Sequence, residues 1–255
     1  MTIAVTRMPP RTIVDCELTY LQRQPIDFER ALAQHRAYCE RLEHLGARVL
    51  TLPADERYPD SAFVEDTALV LDELIILTCP GAPSRRGEID LIAPALAPFR
   101  PLERISLPAT LDGGDVVRMG RVLHVGLSGR TNTEGVQALE RLSAPHGYRV
   151  IPVPFDGCLH LKSGCTALDE ETVLINPAWV NPARFAEYQV LAVEDGEPWA
   201  ADVLPVAGMI LMNSSSPRTI ERVEAKGYRV RAVDITEFMK AEAGVTCLSL
   251  LVSLP

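Results

Sequence analysis

The sequence has little positive charge and no cluster of it. Its 255 residues include 25 lysines and arginines against 34 aspartates and glutamates, a formal net charge of −9. Nucleic acid is therefore not an expected partner, since phosphate backbones are bound by clustered basic side chains. No apolar run approaches the roughly 20 residues needed to span a bilayer, and the N-terminus lacks the charged-then-apolar layout of a signal peptide. We expect no membrane association and a cytoplasmic location.

The sequence also lacks a linker, a low-complexity stretch and a nucleotide-binding motif. Its 20 prolines and 16 glycines are spread along the chain, so we expect a single domain over residues 1–255. A Rossmann sheet is the main rival among α/β folds. No G-x-G-x-x-G or P-loop motif follows any candidate strand, so the sequence lacks the phosphate-binding loop expected of a nucleotide-binding Rossmann fold.

Paired cysteines at metal-binding or redox spacing are missing as well. The six cysteines include no C-x-x-C pair, and without an export signal they are better interpreted as reduced thiols than as a disulfide framework. Cys158, His160 and Cys165 could be three metal ligands, but no fourth ligand is evident. The spacing of these residues therefore does not predict a metal site.

A helix, a glycine and a strand follow one another at three places. The clearest helix is predicted from Phe28 to Leu45, with Asp27 as its N-cap, Gly46 as its end and a strand at residues 48–52. The tetrapeptide Gly-Tyr-Arg-Val occurs at residues 147–150 and again at 227–230, each time after a candidate helix. The repetition predicts copies of one structural unit.

Short apolar hairpins accompany these units. Candidate hairpin strands lie at residues 67–71 with 75–77, 116–119 with 122–126, 166–168 with 173–175, and 202–204 with 209–211. The C-terminal run 247–252 can pair with residues 3–5 to form a fifth unit. Units of mixed strand and helix about 40 to 50 residues apart are typical of propellers and solenoids. We predict a closed α/β propeller of five ββαβ units around a central channel.

The residues just before the first strand of each hairpin, here called the hairpin mouth, carry the chemistry. They are Glu65 and Asp66, Asp112 and Asp115, His160, and Cys247. If the mouths face one channel, a thiol, an imidazole and several carboxylates meet there. This set suits nucleophilic attack on a cationic carbon, with the histidine moving protons and the acids holding the charge.

Each of these residues also has an ordinary interpretation. Cys247, taken alone, is more often a small buried hydrophobe than a nucleophile, and a histidine between leucines is usually structural. The Glu65-Asp66 pair can be a solvated loop, and residues 112–115 a turn. Only their recurrence at equivalent positions favours a common site.

Together these motifs resemble the dimethylarginine dimethylaminohydrolase family of the guanidino-modifying (pentein) superfamily. The resemblance rests on motifs spread in family order over nearly the whole chain: Phe63-Val64-Glu65-Asp66, Ser84-Arg85-Arg86-Gly87-Glu88, Leu111-Asp112-Gly113-Gly114-Asp115-Val116, the stretch from Gly126 to Asn132, Leu159-His160-Leu161-Lys162-Ser163, and Thr246-Cys247. It implies a five-bladed ββαβ propeller that hydrolyses Nω-methylated arginines to L-citrulline and a methylamine, without a cofactor.

The resemblance also implies roles for individual residues. Cys247 corresponds to the nucleophile, His160 to the general acid and base, and Asp112 to the carboxylate that orients the histidine or contacts the guanidinium. The substrate-binding positions are Glu65 and Asp66 for the guanidino nitrogens, Arg85 and Arg130 for the α-carboxylate, Asp60 for the α-amine, Leu18 on a mobile flap, and the carbonyl of Ala241. Asp115 and the two glycines before it are expected to shape the loop.

The implied reaction has two halves joined by a covalent S-alkylthiouronium on Cys247. A free thiol of pKa about 8.5 is mostly protonated at pH 7, so we expect the bound cation to promote its ionisation. Two alternatives remain open at this stage: an arginine deiminase-like hydrolase that releases ammonia, and a non-catalytic propeller that only binds a ligand. The expected partner is a small-molecule substrate, with a homodimer possible.

Overall fold

The computed structural model describes residues 1–254, whose fifteen strands form five three-stranded sheets, here called blades. The blades, each given from inner to outer strand, are β15 (Leu250–Ser253), β1 (Thr2–Arg7) and β2 (Ala47–Leu52) in the first; β3 (Ala68–Val70), β4 (Ile75–Leu77) and β5 (Leu102–Arg104) in the second; β6 (Val116–Met119), β7 (Val122–Leu127) and β8 (Arg149–Pro154) in the third; β9 (Cys165–Ala167), β10 (Thr172–Ile175) and β11 (Gln189–Ala192) in the fourth; and β12 (Leu204–Val206), β13 (Met209–Asn213) and β14 (Val230–Val233) in the fifth.

Every blade has the same strand arrangement. The inner strand pairs antiparallel with the middle strand, and the outer strand then pairs with the middle one in parallel. The first blade combines the two ends of the chain, with Ile3 opposite Val252 and Val5 opposite Leu250. The predicted fifth unit, made from both termini, is therefore confirmed.

Helices make most of the parallel crossovers. They are α1 (Phe28–His44), α2 (Glu88–Leu96), α3 (Thr133–Ser143) and α5 (Pro217–Ala225), while the short α4 (Leu161–Gly164) and α6 (Thr236–Met239) lie between blades. Asp27 caps α1 by accepting the N–H of Arg30. Gly46, Gly147 and Gly227 all have positive φ, as the predicted helix-ending glycines require. Among residues 1–254, no helix is both long enough and apolar enough to cross a membrane.

The fourth blade departs from the ββαβ pattern. Between β10 and β11 the chain forms only a 3₁₀ turn over Pro182–Phe185. The connection carries Pro177 and Pro182, and a proline in a helix interior removes a hydrogen bond and clashes with the preceding turn. Because a short connection also forms few helical hydrogen bonds, a full helix is not expected there.

The hydrophobic core is divided into five clusters, and each joins two neighbouring blades. One cluster contains Ile3 of the first blade and Ile75 of the second. The other four contain Leu69 and Val116 of the second and third blades, Val117 and Val173 of the third and fourth, Leu174 and Ile210 of the fourth and fifth, and Leu211 and Ala4 of the fifth and first. Because the fifth blade packs against the first, the five blades form the predicted ring.

A central channel runs along the inner strands. A cavity of about 370 Å³ is lined by residues of all five inner strands, including Leu69, Val117, Ala167, Leu204 and Leu250. At one end its lining also contains Glu65, Lys162 and Thr246. The hairpin mouths are therefore grouped around this end of the channel.

Two predicted strands are displaced along the chain. The strand predicted at residues 202–204 was wrong by two residues, because β12 spans Leu204–Val206 and the turn at Ala207 and Gly208 pairs Val206 with Met209. The strand predicted from residue 247 begins at Leu250 instead. Asp202 and Cys247 are thereby left in the loops before the strands, at the hairpin mouths.

The ring predicts where truncation of an apolar side chain is most costly. Leu211 is fully buried in the cluster between the fifth and first blades. Leu211→Ala is expected to lower the free energy of unfolding by about 2 to 5 kcal/mol, because it leaves a cavity where the ring closes. Urea denaturation measures this loss. Leu50→Ala, at a position 38% exposed on β2, is the control and should cost less than about 1 kcal/mol. Equal losses would contradict the arrangement.

Candidate active site

The mouths of the second, third and fourth blades meet at His160. Its Nε2 lies 3.0 Å from Oδ2 of Asp112, and its Nδ1 lies 3.7 Å from Oδ1 of Asp66. All three side chains are almost completely buried. Residues separated by 48 and 94 positions in the sequence thus form one cluster, as the ring predicts.

The charges around His160 favour its protonated form. Burial by itself lowers the pKa of a histidine, but the nearby carboxylates of Asp66, Asp112 and Asp115 outweigh burial and raise the pKa of His160 to about 9. Burial likewise opposes ionisation of Asp66, yet His160 and Arg85 overcome it and hold the pKa of Asp66 at about 2. At neutral pH the cluster therefore contains an imidazolium, which can act as a general acid.

Two glycines allow these groups to approach one another. A Cβ on Gly114 would lie 2.7 Å from Nδ1 of His160 and 2.8 Å from Oδ1 of Asp66, and one on Gly113 would lie 2.0 Å from the carbonyl oxygen of Glu65. The backbone N–H of Gly114 also donates to Asp66, at 2.9 Å. The loop after Asp112 needs glycine because the second and third blades touch there.

Asp115, on the same loop, connects three segments. It accepts hydrogen bonds from the hydroxyls of Ser128 and Thr131, each at 2.6 Å, and from the backbone N–H of Leu161 at 2.9 Å. Leu161 directly follows His160. Asp115 thus fixes the start of α4, and with it the position of the imidazole.

The adjacent acids Glu65 and Asp66 lie on a 3₁₀ turn over Val64–Thr67 and serve different partners. Asp66 faces His160. Glu65 instead accepts hydrogen bonds from Nζ of Lys162 and the hydroxyl of Thr246, both at 2.6 Å. The direct guanidino contact expected of Glu65 stays a prediction, and in this structure Glu65 is bound to the residue before Cys247.

Arg85 forms its hydrogen bonds with groups inside the protein. Its guanidinium donates to the carboxylates of Asp66 and Glu88 and to the carbonyl of Phe63, and its side chain is only 4% exposed. The contact with Glu88 is bidentate, through Nε and Nη2, and fixes the guanidinium in place. The guanidinium then donates one hydrogen bond from Nη1 to Asp66 and orients that carboxylate. The expected contact of Arg85 with a substrate carboxylate stays a prediction.

Arg130 is the more accessible of the two expected arginines. Its Nη1 lies 3.7 Å from Oδ2 of Asp112, and its side chain is 11% exposed. Its backbone N–H donates to the hydroxyl of Ser128, which itself donates to Asp115. The Arg130 side chain therefore lies at the edge of the cluster. Among the described residues, no carboxylate lies within hydrogen-bond distance of its guanidinium.

Cys247 lies in the loop before β15, and its side chain is 7% exposed. The backbone N–H of Gly244 lies 3.4 Å from its sulfur, and its carbonyl accepts the N–H of Glu65 at 3.2 Å. Burial raises the pKa of the thiol well above its ordinary value, and the carboxylates of Asp202, Glu65 and Asp66 add to the rise. Without a cation beside it, Cys247 is a neutral thiol at pH 7.

Residues 16–21, the expected flap, are attached by two acidic side chains: Asp60, which was expected to bind the substrate, and Glu242, which was not expected in the site. Asp60 accepts the backbone N–H of Glu17. Glu242 accepts the backbone N–H groups of three consecutive residues, Thr19, Tyr20 and Leu21. Leu18, the expected flap residue, lies between these two attachments and packs against the cluster that contains Cys247.

Glu242 is unusual in its backbone as well. Its φ is +61°, a left-handed conformation that a residue with a side chain seldom adopts, and it is buried next to Ala241. The segment containing Ala241, whose carbonyl is an expected substrate contact, is thus tied to the flap by the neighbouring side chain. No motif signals this attachment, because its donors are backbone groups more than 200 residues away.

Asp66, Asp112 and His160 also form the one group of three potential metal ligands in residues 1–254 whose donor atoms lie within 4.8 Å of one another. Their oxygens already accept hydrogen bonds from Gly114, Arg85 and Gly81. Cys158, considered above as a ligand, donates its thiol to the carbonyl of His160. The geometry suits a planar, hydrogen-bonding cation as readily as a metal ion.

The attachment of the flap predicts its exchange behaviour. Glu242→Ala removes the acceptor of three backbone N–H groups, so hydrogen exchange at Thr19, Tyr20 and Leu21 should accelerate by about tenfold or more. Hydrogen-exchange mass spectrometry measures these exchange rates. The N–H of Asp27, which is bound to Glu237, is the internal control and should not change. Unaltered protection at all four positions would rule out the attachment.

The raised pKa of His160 predicts a pH-dependent contribution to stability. Because the folded pKa of about 9 exceeds the unfolded value of about 6.5, the contribution is complete below pH 6.5 and is lost as the pH rises to 9. The stability difference between the wild type and His160→Gln should therefore shrink over this window. Urea denaturation at pH 6, 7.5 and 9 measures it, and a constant difference would show that His160 is not held as an imidazolium.

Comparison with known proteins places the chain in a family. The model of N,N dimethylarginine dimethylhydrolase, eukaryotic, matches residues 19–181. The N(G),N(G)-dimethylarginine dimethylaminohydrolase of Pseudomonas aeruginosa is 36% identical over 248 residues, which are 96% of this chain and 97% of the relative. The enzyme of the same name from Streptomyces coelicolor is 38% identical over 248 residues, covering 96% and 95%.

Solved structures agree with this placement. A cysteine-to-serine mutant of the Pseudomonas aeruginosa protein, complexed with citrulline, has a TM-score of 0.94, 35% identity and 98% coverage of both chains. A histidine-to-glycine dimethylarginine dimethylaminohydrolase, an adduct with S-methyl-L-thiocitrulline, also has a TM-score of 0.94 at 35% identity and covers 99% of this chain and 100% of its own. A cyanobacterial arginine dihydrolase, with a TM-score of 0.89 at 20% identity, shares the fold. The chain belongs to the dimethylarginine dimethylaminohydrolase family.

Proposed function

We propose that this protein hydrolyses Nω-methyl- and Nω,Nω-dimethyl-L-arginine to L-citrulline and methylamine or dimethylamine. The observation that carries the proposal is the buried imidazolium of His160 between Asp66 and Asp112, together with the thiol of Cys247, which is near enough for the charge of Asp66 to raise its pKa. The names of the two bacterial relatives and the citrulline complex of one of them support the same reaction.

The guanidinium of the substrate enters a site with excess negative charge. Asp66 and Asp112 offer planar carboxylates that can accept its N–H groups, and Arg85 keeps Asp66 in place. Glu65 contributes through Lys162 and Thr246 rather than by reaching the substrate in this conformation. These acceptors hold the cation in one plane while the thiolate approaches its central carbon from the face.

The amino acid end of the substrate is bound at the edge of the site. Arg130 is the cation with accessible donors for the α-carboxylate, and Asp60 supplies a carboxylate for the α-amine. Leu18 covers the substrate from the flap, and the carbonyl of Ala241 assists in holding the amine. Asp60 already binds the flap at Glu17, so substrate binding and flap closure share one residue.

The first half of the reaction joins the substrate to Cys247. The arriving guanidinium offsets the negative charges that keep the thiol protonated, the thiol loses its proton to solvent, and the thiolate attacks the guanidino carbon. The imidazolium of His160 then donates a proton to the departing methylated nitrogen as the carbon–nitrogen bond breaks. Dimethylamine or methylamine leaves, and a covalent S-alkylthiouronium remains.

The second half releases the product. His160, now neutral, accepts a proton from water, and the resulting hydroxide attacks the thiouronium carbon. The carbon–sulfur bond breaks, the new carbon–oxygen bond becomes the ureido carbonyl of citrulline, and the sulfur of Cys247 recovers a proton. The adduct of S-methyl-L-thiocitrulline with a related enzyme is consistent with covalent chemistry at this site.

Substitutions at the two reacting side chains test the proposal. Cys247→Ser should abolish citrulline formation from asymmetric dimethylarginine yet retain substrate binding, because the carboxylates that hold the cation remain. His160→Gln should slow both halves, with kcat reduced by about 100-fold or more. Cys39→Ser, a partly exposed thiol outside the site, is the matched control and should leave kcat unchanged. Citrulline is measured by colorimetric assay and the released amine by chromatography.

The identity of the released amine separates the alternatives. Release of dimethylamine from dimethylarginine supports the proposal. Release of ammonia from unmethylated arginine, with no activity on methylated arginines, would establish a deiminase instead. Binding of methylarginine without any citrulline, in a folded wild-type protein, would indicate a non-catalytic propeller.

A further inference from the structure

The mouth of the fifth blade carries an acid to which the mechanism above gives no role. Asp202 lies two residues before β12, where the other blades present Asp66, Asp112, His160 and Cys247, and it is 5% exposed. Because the strand is predicted two residues too early, Asp202 is assigned to the strand and not to the mouth. With the strand at its observed position, each of the five mouths supplies a titratable side chain.

Asp202 is built into the loop that holds the nucleophile. Its Oδ1 accepts the backbone N–H of Thr246 at 2.9 Å, and its Oδ2 accepts the hydroxyl of Thr246 at 3.1 Å. A Cβ on Gly244 would lie 2.0 Å from its carboxylate carbon. The N–H of that same glycine lies 3.4 Å from the sulfur of Cys247. The carboxylate therefore packs directly beneath the turn Gly244–Cys247.

The titratable groups that face Asp202 come from three other segments. Glu65, on the turn before β3, shares the hydroxyl of Thr246 with it, at 2.6 Å. Lys162 of α4 binds Glu65, and Tyr38 of α1 donates its hydroxyl to the carbonyl of Val245. One ammonium thus serves two carboxylates, and the hydrogen bond it makes goes to Glu65.

We propose that Asp202 is a positioning residue that fixes the Thr246–Cys247 turn and keeps the Cys247 thiol protonated until a cation binds. Two buried carboxylates beside one ammonium leave negative charge behind the sulfur, and a thiolate there is repelled. A bound guanidinium supplies the missing positive charge. The nucleophile is therefore activated only beside a cationic substrate. The catalytic part of this inference rests on the proposed function, whereas the effect on the thiol does not.

The ionisation of Asp202 has the correct pH range for this role. Burial, and secondarily Glu65, raises its pKa to about 7. The thiol titrates at higher pH, where Asp202 is charged, so the two negative charges oppose each other during thiol ionisation. Removing the charge of Asp202 should lower the pKa of Cys247.

Asp202→Asn is the direct test because it changes charge with little change in shape. The amide oxygen can still accept the N–H of Thr246, and the amide nitrogen can donate to the Thr246 hydroxyl while that hydroxyl donates to Glu65. The measurement is the pH dependence of Cys247 alkylation by iodoacetamide, followed by peptide mass spectrometry so that the five other cysteines are distinguished. At pH 7.5 the variant should react on the order of tenfold faster, the change that one pKa unit produces.

Three controls make the result decisive. Asp195→Asn removes an equal charge from an exposed turn and should not alter the rate. Asp202→Ser also removes the charge, and it is used if Asp202→Asn does not fold. Lys162→Met removes the ammonium and should slow alkylation. An unchanged or slower rate in a folded Asp202 variant overturns the inference. Absence of citrulline from every methylarginine would overturn the proposed function while leaving the alkylation result intact.

Discussion

The excess of buried carboxylates over cations at one end of the channel determines the behaviour of this site. Asp66, Asp112, Asp115, Glu65 and Asp202 all lie there within the protein. The basic side chains beside them are His160, Lys162, Arg130 and Arg85, and Arg85 is shared with a further acid, Glu88, so the acids outnumber the cations. Burying charges without full compensation costs free energy, and the surrounding hydrogen bonds reduce that cost only in part. The same imbalance raises the pKa of His160 and keeps Cys247 a neutral thiol, and in the proposed reaction it favours a cationic substrate.

The propeller makes such a concentration of charge possible. No single blade holds more than two of these acids at its mouth, and each inner strand carries its mouth residues to the same end of the ring. Apolar clusters between neighbouring blades stabilise the ring. Gly113, Gly114 and Gly244 then let the loops approach closely enough for the side chains to touch.

Much of this architecture could be predicted from the sequence because it is repetitive. The recurring hairpins and helix-ending glycines predict five units, and the family motifs identify His160, Asp112, Asp66 and Cys247 as one group. The partners of individual side chains could not be predicted in this way. Glu65 and Asp66 are adjacent in sequence yet bind different groups, and the inward orientation of Arg85 depends on Glu88 and on the carbonyls of another loop. Glu242 and Asp202 were missed because their donors lie on distant segments, although Asp202 also occupies a hairpin mouth that a correct strand boundary would have revealed.

The central claim is that a cation binding to this negative site causes Cys247 to ionise. Isothermal titration calorimetry with an L-amino acid that carries a non-hydrolysable amidinium, repeated in buffers of different ionisation enthalpy at pH 7.5, counts the protons released on binding. We expect the wild type to release about one proton on binding, and the release to be reduced by about that amount in Cys247→Ser. Equal proton release by the two proteins would contradict it.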